Sequence, residues 1–220
     1  IIKDGIQKMY VENKNYFYYI TTMNENYEQP EMPEGSEEGI IKGLYKFKSC
    51  NNPQVRLVGS GSILRESIKA AKLLQNYGID SEVWSATSFN LLRKEGMEVE
   101  RENQLNPTLE QKTSYVSECF NDLDIPIIAT TDYMRSYAEQ IRPYITSQYT
   151  VLGTDGFGRS DSREKLREFF EIDSSSITRA AAYSLFKENK IDKVMLEKIP
   201  KEIHAAGTCT YIILTASLCL

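Results

Sequence analysis

Histidine is nearly missing from these 220 residues: His204 is the only one. A Ser-His-Asp or Cys-His engine has one possible base to draw on, and an own-chain zinc site has little to build with. Cysteine is scarce as well. Cys50, Cys119, Cys209 and Cys219 stand apart with no C-x-x-C pair, the pattern of free thiols in a reducing cytoplasm rather than of a disulfide frame. Basic charge is in deficit, 26 Lys and Arg against 31 Asp and Glu for a net charge of −5, which argues against nucleic acid as a partner. No apolar run reaches the ~18 residues that a membrane span requires. The first residues, IIKDGIQKMY, show neither a signal-peptide pattern nor an initiator Met, so the expectation is a piece of a longer chain.

What remains is the composition of a soluble globular protein, 41% hydrophobic and 26% charged, long enough to bury a core without staples. Residues 1–13 place Ile2, Ile6, Met9 and Tyr10 on one helical face. Residues 16–22, YFYYITT, are aromatic and β-branched throughout and predict a buried strand of the kind found in parallel sheets. Residues 24–39 then hold six glutamates, two prolines and no basic residue. Proline removes donors and like charges repel, so this is expected to be an extended connector between domains.

Beyond it a β/α rhythm sets in. Residues 40–47 read as an edge strand; 55–58 as a strand, 59–62 as a turn, 63–77 as a helix and 81–87 as a strand, and the strand, helix and strand from 55 to 87 make a right-handed βαβ unit. Residues 93–114 are polar and read as a loop. Strands follow at 126–130 and 149–152, with helices at 134–142, 162–170, 175–188 and 192–198. The predicted fold class is α/β: an open, mostly parallel sheet flanked by helices over residues 40–198.

Three segments could carry chemistry. Gly59-Ser60-Gly61-Ser62 is a G-x-G turn between strand and helix, where unpaired N–H groups could receive a phosphate or carboxylate. A dinucleotide site also wants a third glycine and an acid ending the second strand. Here Leu64 takes the glycine's place and Ser85, Ala86, Thr87 and Ser88 supply no acid, so a tight structural turn and an anion pocket both stay open for Ser60, Gly61 and Ser62. The second segment runs from Gly153 to Glu164. Its Asp161 and Glu164 suit a D-x-x-E capping box, while Asp155, Phe157 and Arg159 are left for contact with a ligand or partner at a strand's carboxyl end. In the third, Thr130-Thr131-Asp132-Tyr133, hydroxyl and carboxylate groups could be supplied to the same edge, but the carboxylate of Asp132 is expected to cap the next helix. Asp122 and Asp124 have no partner acid at a useful spacing, so a carboxylate-pair hydrolase is not supported.

Four stretches, YYITTMNENYEQPEMPEGSEEGIIKGLYKF, LVGSGSILRESIKAAKLL, ATTDYMRSYAEQIRPYI and VLGTDGFGRSDSREKLREFFEID, resemble in unbroken order the carboxyl-terminal part of the homodimeric bacterial pyruvate dehydrogenase family. The resemblance spans about residues 1–197. It implies a transketolase C-terminal-like domain at 40–198, a connector at 24–39, and at 1–23 a remnant helix and strand closing the middle, pyrimidine-binding domain. It further implies an oxidoreductase that decarboxylates pyruvate with thiamine diphosphate and Mg²⁺ and hands the two-carbon unit to the lipoyl group of an acetyltransferase partner. A second copy of the chain would complete a cytoplasmic homodimer. The family's G-D-G…Asn metal motif is missing, and its pyrimidine-activating glutamate belongs to the middle domain upstream of Ile1. No catalytic, cofactor or metal residue therefore transfers to this chain, which is expected to bind no thiamine diphosphate alone and to be inactive alone. The tail at 199–220 departs from the family pattern. Two other readings remain: a free-standing α/β module binding a nucleotide or anion at 59–62, and an interaction piece whose aromatic run at 16–20 promotes association.

Overall fold

The computed structural model describes residues 1–24 and 26–199; His204, Cys209, Cys219 and nearly all of the divergent tail lie outside the described residues. Among the described residues, five strands make one sheet: β1 (Leu44–Lys48), β2 (Val55–Ser60), β3 (Ser81–Ala86), β4 (Ile127–Thr130) and β5 (Tyr149–Leu152), in the order β1-β3-β2-β4-β5. All neighbours run parallel except β1, which lies antiparallel along the β3 edge. The predicted open, mostly parallel α/β sheet is the one observed.

The central strands are apolar on both faces because helices cover both. Every residue of β2, VRLVGS, is buried. Val55 and Leu57 join Leu64, Leu74, Ile128, Ile177 and Leu185 on one side, beneath helices α3 (Leu64–Gln75) and α8 (Ser174–Lys187). Val58 joins Trp84, Phe89, Phe120, Ile127 and Tyr144 on the other, beneath α4 (Phe89–Leu105), α5 (Tyr115–Phe120) and α6 (Arg135–Glu139). The near-continuous hydrophobic runs thus mark parallel strands buried on two faces.

Several expectations are corrected. Residues 93–114 are not a loop, because α4 occupies most of them. Ser88 caps it by accepting from Leu91 N, and only Phe89, Leu92 and Gly96 turn inward. A helix with so narrow a buried stripe reads as polar. Residues 40–47 are not one strand: α2 (Glu37–Lys42) takes their first part and intrudes into the expected connector before β1 begins. Residues 16–22 join no strand of the sheet, and Phe17 and Tyr19 are 89% and 87% exposed. A strand exists only through its neighbours' hydrogen bonds, and no described segment supplies them. The helix near the start does form, as α1 (Ile2–Ile6) continuing into a π-helical turn at Gln7–Val11, but Ile2, Ile6 and Tyr10 stay exposed. Farther along, α7 (Arg163–Phe169) is capped by Ser162, which accepts from Lys165 N, and not by an Asp161–Glu164 box. Asp161 accepts instead from Ser162 N. The last helix among the described residues is α9 (Lys193–Lys198), capped by Asp192. Among the described residues no helix is long and apolar enough to cross a membrane.

Candidate functional site

The chain leaves β2 through α3 to β3 on one side, then returns to β4 on the other side of β2. Strand order reverses between β2 and β4, and at such a switch point the loops after the two strands splay apart. Ser62 follows β2, Asp132 follows β4, and the loop after β5 closes the third side. Together they border an open cavity of about 390 Å³.

Backbone geometry shapes each wall. A Cβ on Gly59 would lie 2.6 Å from Leu64 Cα, so only glycine lets the end of β2 pass under the start of α3. Gly61 turns the chain with φ +52°, and the next residues form a short 3₁₀ turn, Gly61–Ile63, ahead of α3. Ser60 Oγ then donates to Thr131 Oγ1 at 2.9 Å, tying the β2 loop to the β4 loop. Ser62, only 4% exposed, turns its hydroxyl toward Asp132 Oδ2 at 3.4 Å. Thr154 Oγ1 donates to Asp132 O at 2.9 Å, and Thr154 N to Tyr133 O at 2.9 Å, stitching the β5 loop to the same edge.

The expected helix cap by Asp132 is not made. Met134 is the residue before α6 and gives no side-chain cap. Asp155 takes that task from another loop, accepting from Arg135 N at 3.0 Å. Asp132 is thereby left facing the cavity. Its other walls carry Arg159, Arg163 and Arg167 beside Phe157, Leu166 and Phe170. Arg159 lies over the Phe169 ring at 4.0 Å, and Arg167 Nη1 reaches Glu66 Oε1 at 3.5 Å. Met23 lines the cavity, Thr21 Oγ1 accepts from Tyr133 Oη at 3.2 Å, Asn24 Oδ1 accepts from Arg163 Nη2 at 2.5 Å, and Tyr27 lies under Arg65.

Of the residues singled out from sequence, Ser62, Asp132, Phe157 and Arg159 meet in this cavity. Ser60, Gly61 and Asp155 hold the loops around it instead. Arg163 lies in the second segment but was given no role there, and Arg167 and Phe170 were not anticipated, although the i, i+4 spacing of the two arginines on one helix face was there to be read.

A second cavity, about 410 Å³, opens beside β1 and includes Lys42, Lys46, Trp84, Tyr115 and Cys119. Burial pushes both the Cys119 thiol and the Tyr115 hydroxyl up. A thiol held protonated is a poor nucleophile.

Fold and cavity define an α/β domain of the doubly wound kind with its opening at the strands' carboxyl ends. The family model for the transketolase-like C-terminal domain matches residues 43–173, and that for the pyruvate dehydrogenase E1 component middle domain matches residues 1–30. The chain belongs to the transketolase-like C-terminal domain family. Its relatives narrow this further. It is 53% identical over 207 residues to the pyruvate dehydrogenase E1 component of Pseudomonas aeruginosa, covering 91% of this chain and 24% of that protein. It is 50% identical over 201 residues to that of Cupriavidus necator, covering 88% and 22%. The chain thus spans about a quarter of the length of these relatives. Among solved structures, a transketolase from Pichia stipitis shares the fold with a TM-score of 0.52 at 19% identity, covering 74% of this chain and 21% of that one.

Proposed function

We propose that this chain is the carboxyl-terminal portion of a pyruvate dehydrogenase E1 component. The whole enzyme decarboxylates pyruvate with thiamine diphosphate and Mg²⁺ and passes the two-carbon unit to the lipoyl group of an acetyltransferase partner in the cytoplasm. The observation that carries this reading is the 53% identity to such a component along nine-tenths of the chain. The order of the two matched family models, 1–30 and then 43–173, supports the end of a middle domain followed by a third domain, for which the bounds proposed are 1–23, a connector at 24–39, and 40–198.

Within that enzyme the chain supplies dimer contacts and frames the entrance to the active site. The 89% and 87% exposure of Phe17 and Tyr19 supports this: such rings belong under a neighbouring element. The described residues do not fit the cofactor. No three His, Cys, Asp or Glu among them converge as a metal site, and Asp155 of the Thr154-Asp155-Gly156 string is turned to Arg135. No catalytic step is assigned to these side chains.

The test is a chimera. In the Pseudomonas aeruginosa component, the 207 matched residues are replaced by the corresponding part of this chain. Thiamine-dependent decarboxylation of pyruvate is expected from the chimera, and neither turnover nor heat of thiamine diphosphate binding from the 220-residue chain alone. A folded, dimeric but inert chimera would overturn the assignment, and turnover by the lone chain would overturn the division of labour.

A further inference from the structure

The wall of the switch-point cavity has two unlike halves. Ser62, Ile63 and Ile172 are buried parts of the fold. Phe157, Arg159, Leu166, Arg167 and Phe170 belong to residues 155–171, a run in which no residue is buried. Segments with so little apolar burial lie at the low-stability end of a structure. The run is nonetheless held together internally. Arg159 lies over the Phe169 ring at 4.0 Å, the Phe169 and Phe170 rings meet edge to face at 5.0 Å, and Ser162 caps α7. Both ends turn sharply. Gly153 is wedged against the β4 loop, where a Cβ would lie 2.7 Å from Tyr133 O, and Gly156 follows with φ +105°. At the far end Glu171 takes φ +55°, uncommon for a residue with a Cβ, and the next residue, Ile172, is buried.

We infer that residues 157–170 are a lid over this cavity, hinged at Gly156 and Glu171 and latched by Arg167 on Glu66. Arg167 Nη1 stands 3.5 Å from Glu66 Oε1. Glu66, 5% exposed on α3, also accepts from Lys69 Nζ at 2.9 Å and from Ser174 N at 3.2 Å. Release of Arg167 therefore leaves the buried carboxylate with two donors, so the latch opens without orphaning a charge. The bond from Arg163 to Asn24 is exposed and yields to water. Asp155, before the first hinge, stays with Arg135 N at the fixed edge. Hinges at loop and helix ends absorb such changes in φ and ψ. Opening carries Phe157, Arg159 and α7 away from Ser62 and Ile63 and admits solutes to the cavity.

Thiol labelling of the 220-residue chain measures the gate. Ser62→Cys puts a thiol on the buried wall, Ser160→Cys puts one on the exposed lid, and Cys119 in the second cavity serves as an internal reference. Reaction with a bulky maleimide is followed peptide by peptide by mass spectrometry, and thermal melting confirms that each variant folds. The thiol at position 62 is expected to react at least tenfold more slowly than the one at position 160. Arg167→Gln should accelerate position 62 at least threefold and leave Cys119 unchanged, and Arg167→Lys should restore most of the protection. Equal rates at positions 62 and 160 would show that no lid covers the wall. Indifference of position 62 to Arg167→Gln would remove the latch, and equal acceleration at Cys119 would mean that the whole fold had loosened; each result overturns the inference. Decarboxylase activity enters none of these readouts, so the lid and the enzyme assignment fail or stand separately.

Discussion

Arg56 and Glu82 face each other in register on the parallel strands β2 and β3, and Arg56 Nε donates to Glu82 Oε2 at 3.0 Å with the arginine fully buried. Arg56 Nη1 also donates to Phe120 O at 2.6 Å and Nη2 to Asp122 at 2.5 Å. Glu82 receives Lys46 Nζ at 2.6 Å and Trp84 Nε1 at 3.2 Å. Three strands and the end of α5 are thus joined through one ion network. Asp122, which lacks a partner acid in the sequence, has found a base instead.

Removing Arg56 should be expensive. Arg56→Leu leaves Glu82 buried with only Lys46 and Trp84 to hold it, and breaking a buried pair from one side costs roughly 3–5 kcal/mol. The lower end is expected, since those two donors stay. Urea unfolding followed by the fluorescence of Trp84, the only tryptophan, measures it. A loss below about 1 kcal/mol would mean that the network contributes little net stability.

The same network sets an acid limit. Burial pushes the Glu82 carboxyl up, but the bonds from Lys46, Arg56 and Trp84 outweigh it and hold the group below the ordinary glutamate value of 4.5. A depressed carboxyl adds stability that is complete above that value and is lost as pH falls below it. Glu95 works with the opposite sign, since burial raises it despite the bond from Tyr115 N. Comparison of Glu82→Gln with the unaltered chain isolates the first effect. The variant's urea midpoint should decline less steeply between pH 4.5 and pH 3, and parallel declines would contradict the account.

Two glycine substitutions should separate steric from conformational cost. A Cβ on Gly96 would lie 2.3 Å from Tyr144 Cζ, within the packing of α4 against a buried ring. Overpacking of this kind costs about 1–3 kcal/mol. Gly61 meets nothing within 4 Å but sits at φ +52°, so Gly61→Ala should cost only the left-handed penalty of about 1–2 kcal/mol. Gly61→Ala should leave the α4–Tyr144 contact intact in amide exchange. Gly96→Ala should accelerate exchange along α4.

Asp155 substitutes for a local cap. Its carboxylate accepts from Arg135 N at the start of α6, and losing a helix cap costs about 1 kcal/mol. Asp155→Ala should lower the thermal midpoint by a few degrees and speed exchange of the Arg135 amide. An unaltered Arg135 amide would show that the bond carries no weight.

Much of the fold could be read from short stretches. Val55 to Val58, Ile127 to Ala129 and the Val83-Trp84 pair in β3 announce buried parallel strands because two-sided burial demands apolar residues at consecutive positions. The helix over 89–105 escaped because its outward face is charged and its buried stripe is thin. The strand expected at 16–22 failed for the converse reason, since composition reports what a segment can bury and not whether a neighbour is present to bury it against.

The candidate site divides along the same line. Glycines 59 and 61, the Phe157-Gly158-Arg159 string and the arginine pair on α7 are properties of the chain, set by which residues tolerate a close approach or share a helix face. That Ser62, Asp132 and Arg159 look into one cavity was decided only when the chain reversed its winding direction between β2 and β4. Residues roughly 70 positions apart become neighbours there through sheet order, which is a consequence of long-range packing and has no local signal.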